Sequence, residues 1–256
     1  MKENLNVTFV QAALFSKDTR KNLTYFEKVL EQSKRTDIII LPEMFNSSFC
    51  PESINMAESM TGNTITWMRK ISTKHNCAVS GSLMIQEDKK IFNRLVWIFK
   101  DNIITYDKCH LFSLANEDKF LSKGKKRTII KYKGWKICPV ICYDLRFPVF
   151  CRNDVNYDML IIVANWPKSR VEDWKVLLQA RAIENQAYVV GVNRLGKDEN
   201  NILFSGESKV YNSFGEKVLD AKDKEGMFNV NLSQADLILK RRQRRFLKDK
   251  DKFTIS

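Results

Sequence analysis

Residues 136–150 read KICPVICYDLRFPVF, an apolar run that ends on a cysteine, Cys142, and then turns abruptly polar. Ile137, Pro139, Val140 and Ile141 suit a strand covered on both faces, and Tyr143-Asp144-Leu145-Arg146-Phe147-Pro148 breaks that pattern at once. The spacing predicts a buried strand that stops at Cys142. Free cysteine is most often a small buried hydrophobe, so a role for Cys142 has to be supported from elsewhere in the chain.

Outward from this stretch, short apolar runs alternate with amphipathic helical patterns, and no linker or repeat divides them. That alternation predicts an α/β layered fold in one domain spanning residues 1–256. LNVTFVQAAL and DIIILPEMF read as strands on either side of a helix with Leu23, Phe26, Val29 and Leu30 on its apolar side. A second helix is expected over 63–75, then a strand in CAVSGSLMI and a hairpin in NRLVWIFKDNIITYDKCHLF that turns at Asp101-Asn102. YDMLIIVANWP is a further strand. In the helix after it, Ser169-x-x-Glu172 reads as a capping box, and Trp174, Leu177, Leu178 and Ile183 form the apolar side. AYVVGVNR, a hairpin around Ser213-Phe214-Gly215 and EGMFNVNL close the pattern.

Composition narrows the function. The 256 residues, 44% of them hydrophobic, are enough for a substantial core. Six cysteines form no CxxC pair and only His75 and His110 accompany them, so a zinc site of familiar spacing cannot be written and no metal is expected. The first residues are too polar for a signal peptide, and no run reaches the ~18 apolar residues of a membrane span. A cytoplasmic protein with free thiols is the expectation. The net charge of +13 raises nucleic acid as a partner, but residues 240–252, KRRQRRFLKDKDK, carry +6 of it. A basic tail without interleaved aromatic residues reads as a solvated helix face, and specific nucleic-acid binding is not expected.

Polar residues costly to bury recur at corresponding places: Glu43 after DIIILP, Lys108 after NIITYD, Cys142 after KICPVI, and Asn165-Trp166 after YDMLIIVA. In layered α/β folds, ligands gather beyond the carboxyl ends of strands, so these side chains can converge although far apart in sequence. A thiol of pKa ~8.5 needs a base or a cation to act as a nucleophile. Glu43 suits the base, and Lys108 suits the cation that stabilises an oxyanion, helped by a backbone N–H near Tyr143. A Cys142–His110 dyad is the competing arrangement, with no acidic partner evident to orient the imidazole.

LPEMF, YDKCHLF and VICYDLRFP together resemble the three motifs around the Glu, Lys and Cys of the nitrilase, or carbon–nitrogen hydrolase, superfamily. The resemblance implies a four-layer α-β-β-α sandwich, a thioester intermediate, no cofactor, and homodimers paired through the outer helices. By motif it makes Glu43 the general base, Lys108 the oxyanion-stabilising cation and Cys142 the nucleophile. It also puts Glu117, in SLANEDKFLSKG, behind Lys108. CYDLRFPVFCRN, ANWPKSR, LLQARAIENQAYVVGVNR and FSGESKVYN are most similar to the bacterial ω-amidase branch, which implies a small α-keto acid monoamide as substrate. Arg146 then suits a bidentate clamp for a carboxylate, or else braces the turn against Asp144 or another acid. Tyr143, Asn165 and Trp166 complete the expected substrate contacts. Two departures from the pattern are Val149, where many relatives have glutamate, and Arg94 after Asn93, where serine is common. A true nitrilase, an N-carbamoyl hydrolase and a catalytically inert basic binding protein are the alternatives.

Overall fold

The computed structural model describes residues 4–33 and 35–254. In it the apolar runs become strands and the periodic segments become helices. In chain order these are β1 (Leu5–Gln11), α1 (Thr19–Leu30), β2 (Ile38–Ile40), α2 (Asn63–His75), β3 (Ala78–Glu87), β4 (Lys90–Phe99), β5 (Asn102–Asp107), α3 (Glu117–Phe120), β6 (Ile130–Tyr132) and β7 (Trp135–Ile141). Then follow α4 (Pro148–Cys151), β8 (Met159–Val163), α5 (Val171–Asn185), β9 (Tyr188–Val192), β10 (Leu195–Lys197), β11 (Leu203–Ser205), β12 (Ser208–Tyr211), β13 (Lys217–Lys222), β14 (Gly226–Leu232) and α6 (Gln234–Gln243).

Two six-stranded sheets result, ordered β14-β1-β2-β3-β4-β5 and β13-β12-β9-β8-β7-β6, with β10-β11 as a small ribbon. Each has a parallel centre, β1-β2-β3 in one and β7-β8-β9 in the other, bordered by antiparallel strands. A parallel centre needs both faces covered, and the side-chain alternation of the first sheet shows how this is met. Ile38, Ile40, Leu95 and Trp97 face a core shared with Ile137, Met159 and Ile161 of the second sheet. Ile39, Val96 and Ile98, one residue out of phase, face Phe26, Leu30, Met68 and Ile71 of α1 and α2. Trp174, Leu178 and Ala182 of α5 pack on the second sheet. The layers are therefore helix, sheet, sheet, helix. Each fully buried isoleucine contributes roughly 1.5–3 kcal/mol of apolar transfer.

Strand β7 holds a proline, which a central strand normally excludes. Its neighbour β6 pairs only as far as Ile137, so Pro139 sits where β7 has outrun one partner.

The structure corrects several local expectations. The β4–β5 hairpin pairs Phe99 with Asn102, so its turn is Lys100-Asp101, one residue early, with Lys100 at φ 53°. Ser169 does not cap α5. After Pro167 the chain makes a 3-10 turn over Lys168–Arg170, Arg170 becomes the residue before the helix, and no side chain caps it. Ile183 is 42% exposed, and the buried side of α5 is Trp174, Leu178, Arg181, Ala182 and Asn185. The basic tail begins inside α6, where Lys240 pairs with Glu216 and Arg241 with Asp158, so part of its charge is neutralised internally.

Candidate active site

Each of the expected groups leaves the end of a strand. Beyond β2 the chain stays beside β3, with Leu41 N donating to Ser80 O at 2.7 Å and Phe45 N to Ser82 O at 3.2 Å, and this lays Glu43 along the sheet edge. Lys108 follows β5, its N–H donating to Asn93 O at 3.0 Å, and Cys142 follows β7. Glu117 is the first residue of α3 and fully buried.

Their side chains meet. Lys108 Nζ donates to Glu43 Oε1 at 3.0 Å and to Glu117 Oε2 and Oε1 at 2.8 and 3.1 Å. Asn93 Nδ2 bridges the same carboxylates, at 2.8 Å to Glu43 Oε1 and 3.1 Å to Glu117 Oε1. Asn165 holds Glu43 from the other sheet, its backbone N–H donating to Oε2 at 2.8 Å and its Nδ2 to Glu43 O at 2.7 Å. Cys142 lines the same cleft as Glu43, near enough for the carboxylate's charge to act on its thiol. A buried ammonium between two carboxylates satisfies the rule that buried charges are paired.

The electrostatics follow from this packing. Burial opposes the charge on Lys108, yet Glu117 and Glu43 outweigh it and hold the ammonium above its ordinary pKa. For Glu117, burial raises the carboxyl and the attraction of Lys108 only partly offsets it. Burial, followed by the negative charge of Glu43, pushes the Cys142 thiol well above its usual range. Both effects favour the neutral Cys142 thiol over its thiolate.

Cys142 has φ 44°, a left-handed backbone that costs a residue with a side chain about 1 kcal/mol or more. The surroundings hold it there. Asp144, fully buried, accepts from Ile141 N at 2.9 Å, Tyr106 OH at 2.7 Å and His110 N at 2.9 Å, and its Oδ1 lies 2.8 Å from His110 Nδ1. Arg181 donates to Leu145 O at 2.6 Å. The acidic partner of His110 does exist, and the imidazole, stacked on Phe147 at 3.7 Å, works with it to brace the turn.

Glu43, Lys108, Cys142 and Asn165 line one cleft, walled by Phe49, Phe112, Tyr143, Trp166, Pro167, Ile202 and Phe204, with Arg146, Arg170 and Asp198 also lining it. Residues 6–243 match the family described as carbon-nitrogen hydrolase. The chain belongs to the carbon–nitrogen hydrolase family. Among its relatives, omega-amidase YafV of Yersinia enterocolitica is 38% identical over 98% of both chains. The protein of that name from Escherichia coli K12 is 41% identical over 85% of each. The 2-oxoglutaramate amidase of Bacillus subtilis is 30% identical over 85% of each. The crystal structure of XC1258 from Xanthomonas campestris, a CN-hydrolase superfamily protein with an arsenic adduct in its active site, superposes with a TM-score of 0.97. It is 38% identical, over 99% of this chain and 100% of that one.

In this carbon–nitrogen hydrolase the sequence-derived set Glu43, Lys108, Cys142 and Glu117 comes together, and Tyr143, Arg146, Asn165 and Trp166 all line the cleft. Arg146 is not a free clamp. Its Nη2 lies 2.6 Å from Asp173 Oδ2, and its guanidinium sits 4.7 Å from the Trp166 ring centroid. Asp144 is not its partner, being engaged by Tyr106 and His110. Asn165 grips Glu43, leaving its Oδ1 buried without a hydrogen-bond partner. Trp166 both walls the cleft and packs on Trp174 at 5.5 Å.

The sequence reading missed Asn93 as a ligand of both carboxylates. It also missed Asn193, which clamps the 165–167 loop by accepting from Trp166 N at 2.8 Å and donating to Trp166 O at 2.9 Å. Arg170, Phe49 and Phe112 were missed too. An asparagine inside the apolar run FNRLVWIF was the available signal for Asn93. Neither departure disturbs the cluster, because Arg94 pairs with Asp107 and Glu87 and Val149 is exposed. One set of potential metal donors, Cys50, Glu52 and Glu199, occurs among the described residues, and Lys17 pairs with Glu199 there at 2.8 Å. No described helix is long and apolar enough to cross a membrane.

Proposed function

We propose that the protein is a cysteine-dependent ω-amidase that hydrolyses the terminal amide of small α-keto acid monoamides such as 2-oxoglutaramate and 2-oxosuccinamate. The observation that carries this reading is the Glu43 carboxylate, bonded by the Lys108 ammonium, lining one cleft together with Cys142. The substrate class is supported by relatives named as an omega-amidase and a 2-oxoglutaramate amidase.

In this reading the substrate amide carbon is attacked by Cys142 Sγ while Glu43 takes the thiol proton, and the oxyanion that forms is stabilised by the Lys108 ammonium. Glu43 returns the proton to the departing nitrogen, and ammonia leaves a thioester. A water that gives its proton to Glu43 then attacks the thioester carbonyl. Collapse of the second tetrahedral intermediate returns that proton to the sulfur and frees the dicarboxylic keto acid. Glu117 and Asn93 hold Lys108 and Glu43 in place.

Ammonia release from a panel of acid amides, nitriles and N-carbamoyl amino acids tests the reading. Acid amides should turn over, and intact-protein mass spectrometry during turnover should show an acyl adduct that Cys142→Ala lacks. Glu43→Gln should lose about 100-fold or more. Full activity in Cys142→Ala would remove the proposal. A homodimer through the outer helices is part of it, supported by exposed Val176 and Ile183 on α5. Light scattering that reports only monomer at micromolar protein would count against that part.

A further inference from the structure

Beyond Glu43 and Lys108, three charged side chains line the cleft: Arg146, Arg170 and Asp198. They are not equivalent. Arg146 is tied to Asp173 at 2.6 Å, so its charge is already matched inside the protein. Asp198 uses Oδ1 to accept from Asn200 N and Ile202 N, both at 2.9 Å, and so shapes the loop that carries Ile202. The guanidinium of Arg170 enters no ion pair and no hydrogen bond recorded among the described residues, although it is partly buried. Its surroundings fix it nonetheless. The guanidinium carbon lies 5.2 Å from the Phe112 ring centroid, and Trp166 Nε1 donates to Arg170 O at 2.7 Å.

Both anchors lead back to the catalytic cluster. Phe112 N donates to Glu117 Oε2 at 2.7 Å, and Glu117 holds Lys108. The Trp166 backbone follows Asn165, which grips Glu43. A planar cation stacked on an aromatic face keeps its N–H edge free, and that edge matches the two oxygens of a carboxylate. A guanidinium so placed, with its donors unmatched in a largely apolar cleft, is a site awaiting an anion.

We propose that Arg170 is the residue that binds the distal carboxylate of the substrate, with Arg146, tethered to Asp173, as a flanking cation. The proposal rests on the amidase reading above and deepens it by assigning the acid end of the substrate. Specificity for acid amides over neutral ones then resides at the start of α5, not in the turn after the nucleophile. A site built to pair a charged group rejects the analogue lacking it by orders of magnitude.

The test compares succinamate with butyramide, its neutral counterpart, in the full-length enzyme, with kcat and KM determined separately. Wild type should prefer succinamate by about 100-fold or more in kcat/KM. Arg170→Met and Arg170→Gln should reduce that preference at least 30-fold, through KM for succinamate, and Arg170→Lys should recover only part of it because a point cation lacks the two-bond fork. Arg170→Glu should reverse the order, favouring 4-aminobutanamide over succinamate. Preference for succinamate retained in both Arg170→Met and Arg170→Gln overturns the assignment. Absence of ammonia release from every amide in wild type, or full activity in Cys142→Ala, refutes the amidase reading instead, so the two failures are separable. Should one variant fail to fold, as judged by its melting curve, the other three decide the question.

Discussion

At Lys108, two carboxylates converge on one ammonium, and a third, uncharged group ties them together. Asn93 is the third, and it donates to both carboxylates that flank the lysine. Removing it leaves two buried carboxylates 2.8–3.1 Å from a single ammonium with one donor fewer, which weakens their hold and lets Glu43 reorient. Asn93→Ala is expected to lower kcat by about 10- to 100-fold with KM changed little, a split that marks a positioning group. A KM effect alone would contradict that role. Glu43, Lys108 and Cys142 were legible in the sequence because each interrupts an apolar strand at its end. Asn93 lies inside a strand, beside Arg94, and nothing local marks it as a bridge between two carboxylates. The partner of Arg146 was not legible either, since Asp173 reaches it from a helix 27 positions away and nothing local distinguishes it from Asp144.

Elements set the geometry that single residues use. The segment after β2 runs beside β3 closely enough that Gly81 has no room for a side chain. A Cβ there would come 2.7 Å from Phe45 Cδ1 and 3.0 Å from Leu41 Cβ, and these two residues bracket Glu43. Gly81→Ala is therefore expected to cost about 1–3 kcal/mol of stability, the usual range for overpacking. It should also lower kcat by displacing Glu43, the proposed base. Urea denaturation beside steady-state rates checks both, and an alanine variant of wild-type stability and rate would refute the close approach. The existence and order of the elements were legible because their periodicities are strong. The misread capping box and the hairpin turn shifted by one residue are cases where a 3-10 turn and a left-handed Lys100 override local pattern.

Across the whole molecule the site is divided between the sheets. The first supplies Glu43, Asn93 and Lys108, and the second supplies Cys142 and Asn165, so the chemistry depends on the packing of one sheet on the other. That shared core also buries thiols. Burial pushes Cys151 up to about 12 and Cys138 higher still. In the unfolded chain both return to about 8.5, so above that pH the unfolded state loses protons that the folded state keeps, and stability falls as pH rises. Each thiol contributes a slope of about 1.4 kcal/mol per pH unit, over a window from about 8.5 to about 12 for Cys151. Chemical denaturation at pH 7, 9 and 10 should show stability level at first and then falling, with the fall reduced in Cys151→Ala. A flat profile would show that these thiols do not differ between the two states. The division also governs the order in which the chain can be made. Strand β14 pairs with β1 along its full length, Leu5 opposite Leu232 and Gln11 opposite Gly226. While the chain emerges from the ribosome, β1 waits with an open edge until some 220 further residues have been synthesised, long after Glu43, Lys108 and Cys142 have appeared. A nascent chain stalled at residue 225 should therefore carry every group of the proposed mechanism and have no activity, and the same chain extended past residue 243 and released should gain it.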